Sequence, residues 1–167
     1  AYHGVQPEQL FVANGSNEVL QTILLAYAGP GRRVVVFEPG YQMHVQIARI
    51  LGSEVIVIER NEDFTLDSAD VREVMREIQP HVVFLSSPNN PTGQCDDESM
   101  IDIIGEATDA MLVVDEAYAE FSSWSAIDRA LNSDRIVVSR TFSKTWSLAA
   151  LRLGYLIGSS DVIDHLW

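Results

Sequence analysis

Met111-Leu112-Val113-Val114-Asp115-Glu116-Ala117-Tyr118 decides the reading of the fold. Four consecutive apolar residues run straight into a carboxylate. A strand with one face in water alternates apolar and polar side chains, whereas a strand covered on both faces does not. The stretch therefore reads as a central parallel strand with Asp115 at its C-terminal end. The same pattern recurs on either side. Val34-Val35-Val36-Phe37, Val55-Ile56-Val57-Ile58 and Val82-Val83-Phe84-Leu85 are continuous runs, and Leu10-Phe11-Val12-Ala13, Ile136-Val137-Val138 and Tyr155-Leu156-Ile157 are shorter candidates. Helical spacing separates most of them. Over residues 16–28 the apolar positions are Val19, Leu20, Ile23, Leu24 and Tyr27, and Gly29-Pro30-Gly31 closes the helix. Further helices are predicted over 41–51, over 67–78 with Asp67 or Ser68 near its N-cap, over 96–107 and over 125–131. Seven strands alternating with helices predict an α/β fold. Its architecture is a mainly parallel seven-stranded sheet with helices on both faces, in three α/β/α layers.

Composition narrows the function classes. The chain has 167 residues, enough for one domain with a substantial core, and no repeat or linker divides residues 1–167. It is 47% hydrophobic and 21% charged, which is ordinary for a globular protein and excludes general disorder. The formal net charge of −13 repels phosphate backbones, so a nucleic-acid partner is not expected. No apolar run approaches the roughly 18 residues of a membrane span. The opening Ala1-Tyr2-His3-Gly4-Val5 has neither the basic nor the apolar region of a signal peptide. The single cysteine, Cys95, excludes an intramolecular disulfide framework and reads as structural. A cytoplasmic location is the expectation. His3, His44, His81 and His165 show no ligand spacing, so no metal site is expected, and His44 reads as a surface residue.

In open parallel sheets ligands bind beyond the C-terminal strand ends, so the residues that follow each strand matter most. Gly15-Ser16-Asn17 opens a helix. Its free N–H groups and the positive end of the helix dipole suit an anion, although an ordinary N-cap has the same appearance. Pro88-Asn89-Asn90-Pro91-Thr92-Gly93 is a stiff turn that either holds an Asn side chain at a fixed point or merely reverses the chain. Asp115 is poorly solvated at its strand end and needs a cationic or N–H partner, in a site or at a helix cap. Tyr118 lies three residues on. Lys144, in Thr141-Phe142-Ser143-Lys144, follows another strand, with Arg152 eight residues later. Hydroxyls, lysine and arginine together suit a phosphorylated ligand. A lysine in a partly dry site is also a nucleophile, while a lysine in water is only a solvated charge.

Taken in order, these stretches resemble the fold-type I pyridoxal-phosphate enzymes, and within them the class I/II aminotransferases. The segments that carry the resemblance are Asn14-Gly15-Ser16-Asn17-Glu18, Ser87-Pro88-Asn89-Asn90-Pro91-Thr92-Gly93, Val114-Asp115-Glu116-Ala117-Tyr118, Arg140-Thr141-Phe142-Ser143-Lys144 and Leu148-Ala149-Ala150-Leu151-Arg152-Leu153-Gly154. They are most similar to the histidinol-phosphate branch of that family. The resemblance runs from Val5 to Gly158.

The resemblance implies pyridoxal 5'-phosphate as cofactor and a role for each matched residue. Lys144 would bind the cofactor covalently and then shuttle the substrate α-proton. Asp115 would pair with the protonated ring nitrogen. Asn90 and Tyr118 would bind the ring's phenolic oxygen, and Tyr41 would stack on the ring. Gly15, Ser16, Asn17, Thr141, Ser143 and Arg152 would hold the phosphate. The resemblance admits a cis Asn90–Pro91 bond. It implies transamination of histidinol phosphate with 2-oxoglutarate in histidine biosynthesis, by a homodimer. Other readings are another class I/II aminotransferase, a threonine-phosphate decarboxylase-like enzyme, or an isolated cofactor-binding fragment without turnover. The family's N-terminal segment and C-terminal small domain, which carries the arginine for the substrate carboxylate, have no counterpart within these 167 residues. The expectation is a cofactor-binding large domain from a longer protein.

Overall fold

The computed structural model describes residues 2–167. Its seven strands are β1 (Leu10–Asn14), β2 (Arg33–Glu38), β3 (Glu54–Glu59), β4 (Val82–Ser86), β5 (Met111–Asp115), β6 (Ile136–Thr141) and β7 (Leu153–Ile157). They form one sheet in the order β1-β7-β6-β5-β4-β2-β3. The strands from β3 to β6 pair in parallel, and β7 runs antiparallel to both β6 and β1. All five residues of β4 and of β5 are buried, which explains their unbroken apolar runs.

Six α-helices cover the sheet: α1 (Ser16–Tyr27), α2 (Gln42–Ile50), α3 (Ser68–Ile78), α4 (Ser99–Ala107), α5 (Ile127–Leu131) and α6 (Ser160–Asp164). Strand side chains alternate between two cores. Val83, Leu85, Leu112, Val114 and Val138 face α3, α4 and α5 through Met75, Ile101, Ile104 and Ile127. Val34, Val36, Phe84, Val113 and Val137 face α1, α2 and α6 through Leu20, Ile23, Leu24, Val45 and Ile163. The three layers and the mainly parallel sheet are those the sequence predicts.

Several boundaries move. Asp67 is the N-cap of α3, and its carboxylate accepts from the amides of Ala69 and Asp70. Asp96 does not begin α4, which starts at Ser99. Its carboxylate is buried in a two-pronged ion pair with Arg60, at 2.8 Å on each prong. The helix predicted from residue 125 starts at Ile127, and the Ser125 hydroxyl just before it donates to Glu116 and accepts from the Ile127 amide.

Direction of travel places the site. The parallel strands end at one rim of the sheet, and β1, antiparallel to β7, ends there too. Because β7 runs the opposite way, it begins at that rim and brings Arg152 with it. Gly154 allows this approach. A Cβ there would run into the backbone nitrogen of Ser16, so only glycine lets β7 pass under the start of α1.

Candidate functional site

At this rim a small, half-open cleft forms. Ser16, Tyr41, Asn90, Asp115, Tyr118 and Lys144 line it, together with Ser86, Pro88 and Ala117. Six of the eleven residues proposed from sequence therefore meet in one place, delivered by the segments after β1, β2, β4, β5 and β6.

Asp115 is the buried centre of the cleft, 5% exposed. Its Oδ1 accepts from the Ala117 amide at 3.1 Å and from the Ser139 hydroxyl at 3.2 Å. Its Oδ2 lies 2.9 Å from Nε2 of His44. Three donors are the condition under which a carboxylate can stay inside a protein. His44 is the partner the sequence did not supply. It is 3% exposed rather than on the surface, and its ring stacks on Phe84 at 4.2 Å with a 5° interplanar angle. Its position on α2 one helical turn after the Tyr41 N-cap is the only local hint, since the pairing spans 71 residues.

Tyr41 is fixed at both ends. Its hydroxyl donates to Asn17 Oδ1 at 3.0 Å, and its ring meets His44 edge-on. The loop bearing Asn90 is pinned through its neighbour. Asn89 donates from Nδ2 to the Pro39 carbonyl and to the Thr92 hydroxyl, each at 2.9 Å, and its backbone closes onto Gly93 and Gln94. The Ser87–Pro88 and Asn90–Pro91 bonds are cis, as is Glu38–Pro39. Asn89 is thus the structural residue of the pair, and Asn90 is the one that reaches the cleft wall. Lys144 Nζ sits 5.6 Å from the centroid of the Tyr118 ring, within reach of a cation–π attraction.

Gly15, Asn17, Thr141, Ser143 and Arg152 do not line this cleft; they gather beside it around the start of α1. Gly15 has φ of 86° and no side chain, and a Cβ there would lie 2.5 Å from Arg152 Nη2. The guanidinium therefore occupies the space a side chain would fill. Arg152 Nη1 donates to the Ser143 hydroxyl and to the Ala149 carbonyl, and the Ser143 amide donates to Thr141 Oγ1 at 3.2 Å. The first-turn amides of α1 at Ser16 and Asn17 have no carbonyl a turn earlier in the helix to receive them. A guanidinium, a helix N-terminus and two hydroxyls form a set whose chemistry matches a phosphate dianion.

Two groups flank the site. Arg140 on β6 is buried, donates from Nε to Glu116 at 2.9 Å and from Nη2 to the Ser125 hydroxyl at 3.1 Å, and its Nη2 lies 2.6 Å from Glu116 Oε2 in an ion pair. Burial pushes the Glu116 carboxyl up from its ordinary value, against the opposing pull of Arg140. Tyr155 on β7 is pushed up to about 12, again mainly by burial, and its hydroxyl lies 2.8 Å from His3 Nε2.

The family model for aminotransferase class I and II matches residues 1–167. A histidinol-phosphate aminotransferase of Streptomyces avermitilis is 46% identical over 167 residues, covering 97% of this chain and 45% of that protein. One of Thermobifida fusca is 43% identical, covering 98% of this chain and 46% of that protein. The chain thus spans a little under half the length of these curated relatives. Among solved structures, histidinol-phosphate aminotransferase from Sinorhizobium meliloti, in complex with pyridoxal-5'-phosphate, superposes with a TM-score of 0.87 at 23% identity. The match covers 99% of this chain and 48% of that one, a likeness of fold.

Proposed function

The chain belongs to the aminotransferase class I and II family, and from that premise we propose that its 167 residues form one domain holding pyridoxal 5'-phosphate for transamination. The substrate pair we assign is histidinol phosphate with 2-oxoglutarate, in histidine biosynthesis, within a cytoplasmic homodimer. The substrate assignment takes its support from relatives 40–46% identical that carry that name.

The residues present fit the cofactor. Beside the cleft, a Cβ at Gly15 would collide with Arg152, so the backbone and the guanidinium together leave a polar nook suited to a phosphate. At the other end, the buried carboxylate of Asp115 suits a protonated ring nitrogen. Bound there, the group supplies an electron sink for negative charge at a substrate carbon.

The rest is work for the chain's own side chains. Asp115 would hold a proton on the ring nitrogen, and His44, Ala117 and Ser139 keep its carboxylate fixed for that role. The Tyr41 ring offers a flat apolar face. Asn90 and Tyr118 would orient the ring through hydrogen bonds. The first-turn amides at Ser16 and Asn17, the Thr141 and Ser143 hydroxyls and Arg152 bind the phosphate. The Nζ of Lys144 would anchor the cofactor, and its free amine would serve as general base and acid for the substrate α-proton.

The observation that carries this reading is the convergence of Lys144, Asp115, Tyr41, Asn90 and Tyr118 on one cleft. Incubation with pyridoxal phosphate followed by borohydride is expected to leave an adduct at Lys144, mapped by peptide mass, and none in Lys144→Ala. An unlabelled Lys144 in the native chain overturns the assignment. Amino transfer from aspartate but not from histidinol phosphate would overturn the substrate.

A further inference from the structure

We infer that Glu120, reached through Arg140, is a positioning residue that fixes the backbone carrying Lys144. The inference rests on the assignment of Lys144 to the cofactor. Lys144 stands on an exposed loop after β6, most of whose residues face solvent. A lysine has four rotatable side-chain bonds, so its amine is aimed only as well as the backbone beneath it. Inside the loop the bonds are local: the Ser147 amide donates to the Lys144 carbonyl at 2.9 Å, and the Leu148 amide to the Phe142 carbonyl at 3.0 Å. These close the turn on itself and leave its orientation to the cleft to be set from outside.

Glu120, in the short 3-10 turn Ala119–Phe121 that follows Tyr118, supplies that outside hold. Its Oε2 accepts from the Thr145 hydroxyl at 3.0 Å, and its Oε1 accepts from the Trp146 indole N–H at 3.1 Å. One carboxylate thus grips the two residues directly after the lysine. The grip is itself anchored. Arg140 Nη1 lies 3.8 Å from Glu120 Oε1, while the rest of that buried guanidinium is locked to Glu116 and Ser125. Glu116 is 1% exposed and accepts in addition from the Ala126 amide at 2.6 Å. Arg140 therefore sits between two carboxylates: Glu116 holds it to the core, and its remaining nitrogen faces Glu120. The chain of contacts runs from buried β6, through a residue two after Tyr118, to the loop of Lys144. It ties the two sides of the 5.6 Å Tyr118–Lys144 contact into one frame. Sub-ångström placement of a reacting amine is worth up to about a hundredfold in rate, so such a frame has a measurable consequence.

Backbone amide exchange in the chain without cofactor tests the hold independently of any chemistry. Glu120→Ala is expected to speed exchange over residues 143–148 at least tenfold, while the core strands keep their protection. Thr145→Val and Trp146→Phe, each removing one donor, are expected to fall between. The second readout is the rate of borohydride-trappable capture of pyridoxal phosphate at Lys144, per folded molecule. It is expected to fall roughly ten- to a hundredfold in Glu120→Ala, with partial recovery in Glu120→Gln, whose amide oxygen still accepts one bond. Native exchange in the loop of Glu120→Ala overturns the hold. Faster exchange with an unchanged capture rate overturns the positioning role and leaves a structural tie. If the native chain captures nothing, the cofactor assignment has failed, and with it the positioning role, whatever the exchange shows.

Discussion

Two histidines at opposite ends of the sheet show how a side chain's role depends on its partners. His44 donates to a buried carboxylate and stacks on Phe84. His44→Phe keeps the ring but leaves Asp115 one donor short, at an expected cost of roughly 1–3 kcal/mol in urea unfolding. His81 instead accepts. Its Nδ1 takes the Arg33 amide at 3.1 Å, which requires that nitrogen to be unprotonated. Partial burial, then the charges of Arg32 and Arg33, hold its pKa below the ordinary 6.5. The folded chain therefore takes up this proton less readily than the unfolded chain. The contribution is intact above about pH 6.5 and is lost as pH falls through that value toward the lower folded one. The difference in unfolding free energy between the native chain and His81→Asn is expected to be flat above pH 7 and to shrink below 6.5. A pH-independent difference would refute this. Residues of this kind were the least legible in the sequence. Lys144, Asp115 and Arg152 stand in recognisable local stretches, but the partners of Asp115, Arg60 and Arg140 lie 24 to 71 positions away. No local spacing announces such a pairing. Asp96 shows the cost: a polar residue before an apolar run looks like a cap, yet Arg60 takes it into the core.

At the scale of elements, hydrophobic pattern was the readable signal. Unbroken runs in β4 and β5 follow from burial on both faces, and the apolar positions of α1 match its buried stripe of Val19, Leu20, Ile23 and Leu24. What pattern could not show was direction. Nothing in Leu153-Gly154-Tyr155-Leu156-Ile157 says that this strand runs against its neighbours, yet that reversal is what delivers Arg152 to the rim. Its tightest point is Gly154. Gly154→Ala is expected to destabilise the fold by about 1–3 kcal/mol, because the methyl meets backbone rather than a yielding side chain. It should also weaken phosphate binding by pushing Arg152 and the start of α1 apart. Thermal unfolding together with pyridoxal phosphate affinity would check both, and unchanged values in the two would show that the contact is slack.

At the scale of the whole molecule, site and core are coupled through ligation. A ligand bound only by the folded state stabilises it by about 2.7 kcal/mol at a hundred times its dissociation constant. For a chain of this size that is a rise of roughly 5–11 °C in Tm. Pyridoxal phosphate is expected to give such a rise in the native chain and a much smaller one in Arg152→Ala. Equal shifts in both would separate the arginine from phosphate binding. The net charge of −13 makes the cationic nook around Arg152 and Lys144 an exception on an acidic protein, which favours an anion finding that rim over other surfaces.

The pairing of β1 with β7 carries a consequence for how the chain is made. Leu10 finds its partner in Ile157, and every residue of β1 pairs with the penultimate stretch of the described chain. On a ribosome adding roughly 5–20 residues per second, Leu10-Phe11-Val12-Ala13 waits on the order of ten seconds for the strand that receives it. The five parallel strands can assemble meanwhile, but the anion nook cannot, since its glycine turn and its arginine lie at opposite ends of that wait. The phosphate site is thus completed only after all five parallel strands have been made, and a nascent chain reports its completion by the moment it first retains cofactor.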